Sequence, residues 1–312
     1  MKVLIVDSCH PVLKQKFEAS GFVCDYFENI TKDKALNIIS QYDGLIIRSK
    51  FIIDKLFLDS AINLKFIGRV GAGLENIDVQ YANEKGIKCF NSPEGNRDAV
   101  GEHAAGMLLS LFNNLYNANT EVKAGIWDRE KNRGIELKGK TIGIIGYGNM
   151  GSAFAKKLSG FEVKVISYDK YKVNYSDGYT IETDLQGIFE NTDILSLHVP
   201  LTRETKNMVN DDFISNFKKD IYLINTSRGQ VVDTKSLVKN LKSEKILGAA
   251  LDVLEYEKST FENLFINDIP ETFNYLIKCD KVLLSPHIAG WTHESNFKMA
   301  DVLADKIISA YI

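Results

Sequence analysis

Cysteine is sparse: Cys9, Cys24, Cys89 and Cys279 lie far apart in 312 residues, with neither metal-ligand nor redox-pair spacing. That pattern argues against a disulfide framework or a cysteine metal site and points to reduced thiols in a cytoplasmic protein. A surplus of charge of one sign is missing as well. The 38 Lys and Arg residues stand against 41 Asp and Glu, for a formal charge of −3, and no basic patch or long charge run stands out. Nucleic acid and anionic membrane are therefore not expected partners. No apolar run approaches the ~20 residues that span a bilayer. The opening Met1-Lys2-Val3-Leu4-Ile5-Val6-Asp7 places a charge where a signal peptide would stay apolar, so it reads as a first core strand. With only five prolines there is no Pro-rich linker, and neither an internal repeat nor a low-complexity tract is visible. The length predicts about two domains, with ample chain for two buried cores.

What is present is organised around the stretch from Lys140 to Lys170. The run Thr141-Ile142-Gly143-Ile144-Ile145 has the length and β-branched content of a fully buried parallel strand. Gly146-Tyr147-Gly148-Asn149-Met150-Gly151 follows at once, then a helical pattern from Ser152 to Leu158, then a second strand-like run, Val163–Ile166, ending at Asp169. Each part suits a dinucleotide. Gly146 permits the tight turn, Gly148 lets the backbone approach a pyrophosphate, and Gly151 lets helix and strand pack closely, while the phosphates sit on the helix's free N–H groups. Asp169 stands about 20 residues past the glycines, where a carboxylate binds the adenine ribose hydroxyls and repels a 2′-phosphate. The expectation is NAD rather than NADP. The plainer alternative is a structural βαβ unit in which Asp169 merely caps a strand.

The N-terminal third already alternates. Strand-like runs at Val3–Val6, Phe22–Tyr26, Gly44–Ile47, Phe66–Ile67 and Ile87–Phe90 are separated by helical patterns such as Pro11–Ala19 and Asp33–Ile39, which predicts a parallel sheet with helices on both faces. Ligands collect at the carboxyl ends of such strands. There, Arg48-Ser49-Lys50 forms either a grip for a phosphate or carboxylate or a solvated loop, and Gly68-Arg69-Val70-Gly71-Ala72-Gly73 either an anion-binding row of amides or a plain turn. Asn91–Asn96 is dense in turn formers and reads as a boundary, and Asp98–Lys123 as one long helix whose Leu111, Phe112, Leu115 and Tyr116 offer apolar surface to a second subunit.

Beyond Asp169 four more strand-like runs deliver polar residues to one sheet edge: Ile194–Leu197 into His198, Ile221–Asn225 into Arg228, Ala249–Val253 towards Glu255 and Glu257, and Val282–Ser285 into His287. A guanidinium, a carboxylate and an imidazole at the carboxyl ends of strands suggest chemistry. Singly, each has a structural alternative: a hydrogen-bonded histidine, an arginine capping a helix or pairing with Glu255, a glutamate facing solvent.

These motifs resemble the D-isomer-specific 2-hydroxyacid dehydrogenases over nearly the whole chain. The hallmarks are Gly146–Gly151 with Asp169, His198-Val199-Pro200-Leu201, Asn225-Thr226-Ser227-Arg228-Gly229, Gly248–Glu255 and Ser285-Pro286-His287-Ile288-Ala289-Gly290. The resemblance implies an α/β protein of two Rossmann-like or flavodoxin-like domains with parallel sheets. A discontinuous substrate-binding domain, residues 1–94 plus 289–312, is hinged to an NAD-binding domain, residues 95–288, in a homodimer. It implies that Arg228 binds and polarises the 2-oxo acid, Glu257 orients the imidazole, and His287 is the acid/base. It places NAD against Gly146, Gly148, Asn149, Met150, Gly151, Asp169, His198, Val199, Pro200, Thr226, Ser227, Arg228, Asp252 and His287. The substrate falls to Val70, Gly71, Ala72, Asn96, Arg228 and His287, and no metal is implied.

Within the family, Ile46-Ile47-Arg48-Ser49, Gly68–Asp78 and Asn91–Asn96 follow the subgroup that oxidises D-3-phosphoglycerate, the first step of serine synthesis, which makes Arg48 and Ser49 phosphate ligands. Three departures stand out. Lys258 replaces a usual Pro, the segment Lys258–Asp280 is longer than usual, and Trp291 fills a position where phosphoglycerate enzymes carry a small residue, so that it would narrow the pocket. No C-terminal regulatory module follows the His287 helix, so feedback by serine through such a module is not expected. A glyoxylate, hydroxypyruvate or other 2-oxo acid reductase is the alternative. An NAD(H)-sensing binding protein, like the co-repressors built on this fold, is the alternative of another class.

Overall fold

The computed structural model describes residues 1–257 and 269–312; Lys258 and much of the long segment that follows lie outside the described residues. Two compact units are present. One comprises Met1–Arg97 and Trp291–Ile312, the other Asp98–Glu257 and the described residues up to Gly290.

The first unit is built on β1 (Lys2–Ile5), β2 (Val23–Tyr26), β3 (Gly44–Ile47), β4 (Phe66–Arg69) and β5 (Lys88–Asn91), all parallel, in the order β2-β1-β3-β4-β5. Period-two alternation buries both faces. Val3, Ile5, Ile46 and Phe66 pack with Leu13, Phe17, Leu303 and Ile307, whereas Leu4, Val6, Leu45 and Ile47 pack with Phe57 and Leu58 on the other side. The terminal helix His293–Tyr311 belongs to this unit. It starts with a capping box, in which Thr292 Oγ1 accepts from the Ser295 N–H at 3.0 Å and Ser295 Oγ from the Thr292 N–H at 2.9 Å.

The second unit contains β6 (Thr141–Ile145), β7 (Lys164–Tyr168), β8 (Ile181–Glu182), β9 (Ile194–Leu197), β10 (Ile221–Asn225), β11 (Ile246–Leu251) and β12 (Val282–Leu284). They form one parallel sheet, β12-β11-β10-β9-β6-β7-β8. This is the doubly wound dinucleotide-binding order, and it reverses between β6 and β9, the place where such sheets hold ligands. In the first unit the reversal falls between β1 and β3. The expected parallel α/β class is what the chain adopts.

Three local expectations fail. The long helix is two, Pro93–Phe112 and Leu115–Lys123, because Asn114 takes a left-handed conformation (φ +51°) that asparagine tolerates better than most residues. Phe112, expected as exposed apolar surface, is core, its ring 4.6 Å from that of Tyr222. The last four residues of the turn-rich Asn91–Asn96 are helical, because Pro93 occupies the first helical position, where its missing N–H costs nothing. The short edge strand β8 was too brief for any periodicity to announce it. Among the described residues no helix is long and apolar enough to cross a membrane.

Candidate active site

After β6 the chain turns at Gly146 with φ +94°, and a Cβ there would lie 2.4 Å from the carbonyl oxygen of His198. Only glycine fits both the conformation and the approach. A Cβ on Gly151 would come within 2.1 Å of the Gly146 carbonyl oxygen, so the helix Asn149–Lys157 sits as close to the strand as a hydrogen side chain allows. Gly148 is the N-cap of that helix and supplies no side-chain cap. The first-turn amides, including those of Asn149 and Met150, are thus left to a ligand. Asp169 directly follows β7. Its Oδ2 accepts from the Tyr147 N–H at 2.9 Å and its Oδ1 from the Tyr171 N–H at 3.0 Å, which ties the carboxylate to the glycine turn.

On the next strands, Thr226 Oγ1 is buried without a protein partner, whereas the Ser227 N–H and hydroxyl both go to Asn225 Oδ1, at 3.0 and 2.7 Å. His198 does not present its ring to the turn. Its Nε2 lies 2.9 Å from Ser196 Oγ, its Nδ1 is buried without a partner, and burial lowers its pKa to about 4. What it offers the glycine turn is its carbonyl, beside the Val199 side chain, and Pro200 beyond it is exposed. Uncapped amides, a close-packed glycine turn, a placed carboxylate and an orphaned buried hydroxyl together fit a dinucleotide.

The expected catalytic groups lie in the same unit. His287 Nδ1 is 2.6 Å from Glu257 Oε2, and the other Glu257 oxygen accepts from the Leu254 N–H at 2.5 Å. His287 has φ +56°, unusual for a residue with a Cβ. Its N–H donates to the Asp252 carbonyl at 2.7 Å. The Asp252 side chain, one of the groups expected at the cofactor, is fully buried. Its Oδ1 accepts from Ser285 Oγ at 2.6 Å and the Ile288 N–H at 2.9 Å, and its Oδ2 from the Ala289 N–H at 2.8 Å. Burial would raise its pKa, but bonds from His103, Ser285 and the two amides outweigh this and hold it at about 2. Arg228 Nη1 donates to the Ser227 carbonyl at 2.7 Å, and Glu255 accepts from the Thr234 N–H at 3.0 Å as a helix-terminal carboxylate.

In the first unit, Asp7 was missed. Its Oδ2 takes the N–H groups of Arg48, Ser49 and Lys50 at 3.0, 2.8 and 3.0 Å, so the amides of that loop are filled from within. The Arg48 guanidinium stacks on the Trp291 indole, 3.9 Å from the ring centroid, and burial lowers its pKa. Of the three expected amides, that of Val70 extends the sheet to the Ile47 carbonyl at 3.0 Å, which leaves those of Gly71 and Ala72. Asn96 Oδ1 is buried and unpartnered. Asp7 was legible as a carboxylate ending a strand at the point of reversal; nothing in the local sequence marks His103.

A seven-stranded doubly wound sheet with this glycine turn, and an imidazole–carboxylate pair at the same strand ends, defines a dinucleotide-dependent oxidoreductase. The family model described as "D-isomer specific 2-hydroxyacid dehydrogenase, NAD binding domain" matches residues 105–289. The hydroxypyruvate reductase of Thermotoga maritima is 36% identical over 280 residues, 90% of this chain and 88% of that protein. The D-3-phosphoglycerate dehydrogenase of Methanocaldococcus jannaschii is 34% identical over 310 residues, 98% of this chain but 57% of that protein, so the chain spans just over half of it. A crystal structure of D-lactate dehydrogenase from Aquifex aeolicus complexed with NAD and lactic acid superposes with TM-score 0.82 at 27% identity, covering 99% of this chain and 95% of that one. The chain belongs to the D-isomer specific 2-hydroxyacid dehydrogenase family, and its cofactor is NAD.

Proposed function

We propose that the protein interconverts D-3-phosphoglycerate and 3-phosphohydroxypyruvate with NAD, in the service of serine synthesis. The observation that carries this choice of substrate is the Arg48 guanidinium. It is half-buried, backed by Trp291, and makes no hydrogen bond among the described residues. Such a cation, its charge opposed by burial, is stabilised by a phosphomonoester dianion, whose oxygens match the guanidinium fork. Ser49 supplies a hydroxyl beside it.

When bound, NAD supplies the acceptor, or in reverse the donor, of the C2 hydrogen with its electron pair. The chain's own groups do the rest. With Nδ1 held by Glu257, His287 uses Nε2 to take the hydroxyl proton in oxidation and to return it in reduction. The Glu257 carboxylate stabilises the imidazolium so formed. Arg228 pairs with the substrate carboxylate and lays positive charge beside the C2 oxygen.

Reduction of hydroxypyruvate or glyoxylate is the second reading, favoured by the bulk of Trp291, whose ring covers one face of Arg48. The retained His287–Glu257 pair weighs against a purely NAD(H)-sensing role. Following NADH absorbance with 3-phosphoglycerate, hydroxypyruvate and glyoxylate decides among them. Oxidation of 3-phosphoglycerate supports the first reading, turnover of the unphosphorylated acids alone supports the second, and NADH binding without turnover supports the third.

The protein acts as a homodimer in this reading. Leu115, Tyr116, Val122, Ile126 and Trp127 are each more than half exposed, an apolar stretch suited to a second copy.

A further inference from the structure

Behind the loop that carries His287 stands a residue with no assigned role. His103 lies on the helix Pro93–Phe112 and reaches Ser285 and Asp252, both far away in sequence. Its Nε2 is 3.1 Å from Ser285 Oγ and 3.4 Å from Asp252 Oδ1. Met107, one turn further along, has its sulfur 3.9 Å from the same hydroxyl.

The loop from Ser285 to Ala289 hangs from Asp252 at four points: the Ser285 hydroxyl and the Ile288 and Ala289 amides on the carboxylate, and the His287 amide on the main-chain carbonyl. These bonds hold His287 in its left-handed conformation, which is unfavourable for a non-glycine residue and persists only where neighbours over-determine it. They also hold the imidazole at hydrogen-bonding distance from Glu257.

The proton count then fixes His103. Ser285 has one hydroxyl proton, and its 2.6 Å bond to the anionic Asp252 Oδ1 takes it. The Ser285 oxygen is left as an acceptor, so Nε2 of His103 must carry a hydrogen, shared between Ser285 Oγ and the Asp252 carboxylate. We propose that His103 is a positioning residue for the reaction: as an Nε2–H donor it secures Ser285 and Asp252, and through them the placement of His287 against Glu257. This rests on the reading of His287 as the acid/base. Asp252, Glu257 and His287 are the ionisable groups tied to this loop.

Two experiments test it. In the cofactor-free wild type at pH 8, the ¹⁵N shifts of the His103 ring should report the Nε2–H form; an Nδ1–H tautomer overturns the proposal without reference to any activity. In turnover, His103→Leu should lower kcat by roughly 10–100-fold, the scale of an ångström-sized misplacement. It should leave the Kd for NADH within about twofold and move the pH profile of kcat. His103→Gln, which can offer a side-chain N–H donor, should restore most of the rate and the wild-type profile. Wild-type kcat and pH profile in the leucine variant, or equal losses in both variants at matched melting temperature, reject the role. A wild type that turns over no 2-hydroxy or 2-oxo acid rejects the enzymatic reading instead, and the tautomer measurement then decides this inference alone.

Discussion

His287 Nδ1 and Glu257 Oε2 are 2.6 Å apart, and the Leu254 amide fixes the far oxygen of the carboxylate. In the proposed reaction, with Nδ1 held by Glu257, Nε2 is the nitrogen that exchanges a proton with substrate.

His287→Asn should therefore lower kcat by about 10²–10⁴-fold, the usual contribution of general acid/base catalysis, with NADH affinity nearly unchanged. Fluorescence titration of NADH alongside turnover separates the two effects. A variant with near-full activity removes His287 from the mechanism. Glu257→Gln should cost less and should shift the pH profile, because the amide cannot stabilise an imidazolium by charge.

Asp169 ties down the glycine turn and, in the proposed reading, also binds NAD. Asp169→Asn keeps an acceptor for the Tyr147 amide but loses the charge that repels a 2′-phosphate. It should raise the ratio of NADP to NAD efficiency at least about tenfold, an effect near 1.4 kcal/mol, with little change in melting temperature. Equal wild-type efficiency with the two cofactors refutes the assignment of this carboxylate.

Arg48 and Trp291 should separate substrates. Arg48→Ala should lower kcat/KM for 3-phosphoglycerate by roughly 1.5–3 kcal/mol, the worth of a charged hydrogen bond, and leave unphosphorylated 2-oxo acids nearly unaffected. Trp291→Ser removes a cation–π contact worth about 0.5–1 kcal/mol at an exposed site and opens the space above the guanidinium. A gain on the phosphorylated substrate would show that the indole restricts it. Equal losses on both substrate classes in Arg48→Ala would place Arg48 in support of the fold.

His198 predicts a pH dependence of stability. Its pKa is about 6.5 when unfolded and about 4 in the folded protein. Between these values the unfolded chain binds the extra proton, so stability is full above pH 6.5 and falls as pH drops towards 4, by about 1.4 kcal/mol per unit. His198→Gln should flatten this share of the curve in urea titrations at pH 4.5, 5.5 and 7. Parallel curves for the two proteins would show that the imidazole is not held neutral.

The apolar stretch at Leu115–Trp127 should be covered by a second copy. Tyr116→Asp with Trp127→Asp should shift the mass measured by light scattering from dimer to monomer. A wild type that is already monomeric disposes of the dimer.

The strands, the glycine turn and its carboxylate were legible because they are local. An apolar run, a glycine and an acid a strand later are fixed by backbone sterics and burial within about 30 residues, and the order of polar residues after each strand follows from parallel topology. The amides of Arg48–Lys50 are different, for what fills them is Asp7, on another strand. Likewise, Trp291 read only as a bulky residue narrowing the pocket, and it is the fold that sets it against Arg48 of its own unit. The sequence did not show that the Asp252 carboxylate binds the His287 loop or that the His198 imidazole meets Ser196 and Phe154. His103 meets Ser285 across 182 residues of sequence. A side chain's partners depend on which strands and helices become neighbours, and periodicity, which reports only which face of an element is buried, carries no such information. The sequence alone thus determined the two parallel sheets and the residues at their carboxyl edges; the packing of distant segments decided which of those residues point outward to a ligand and which hold the others in place.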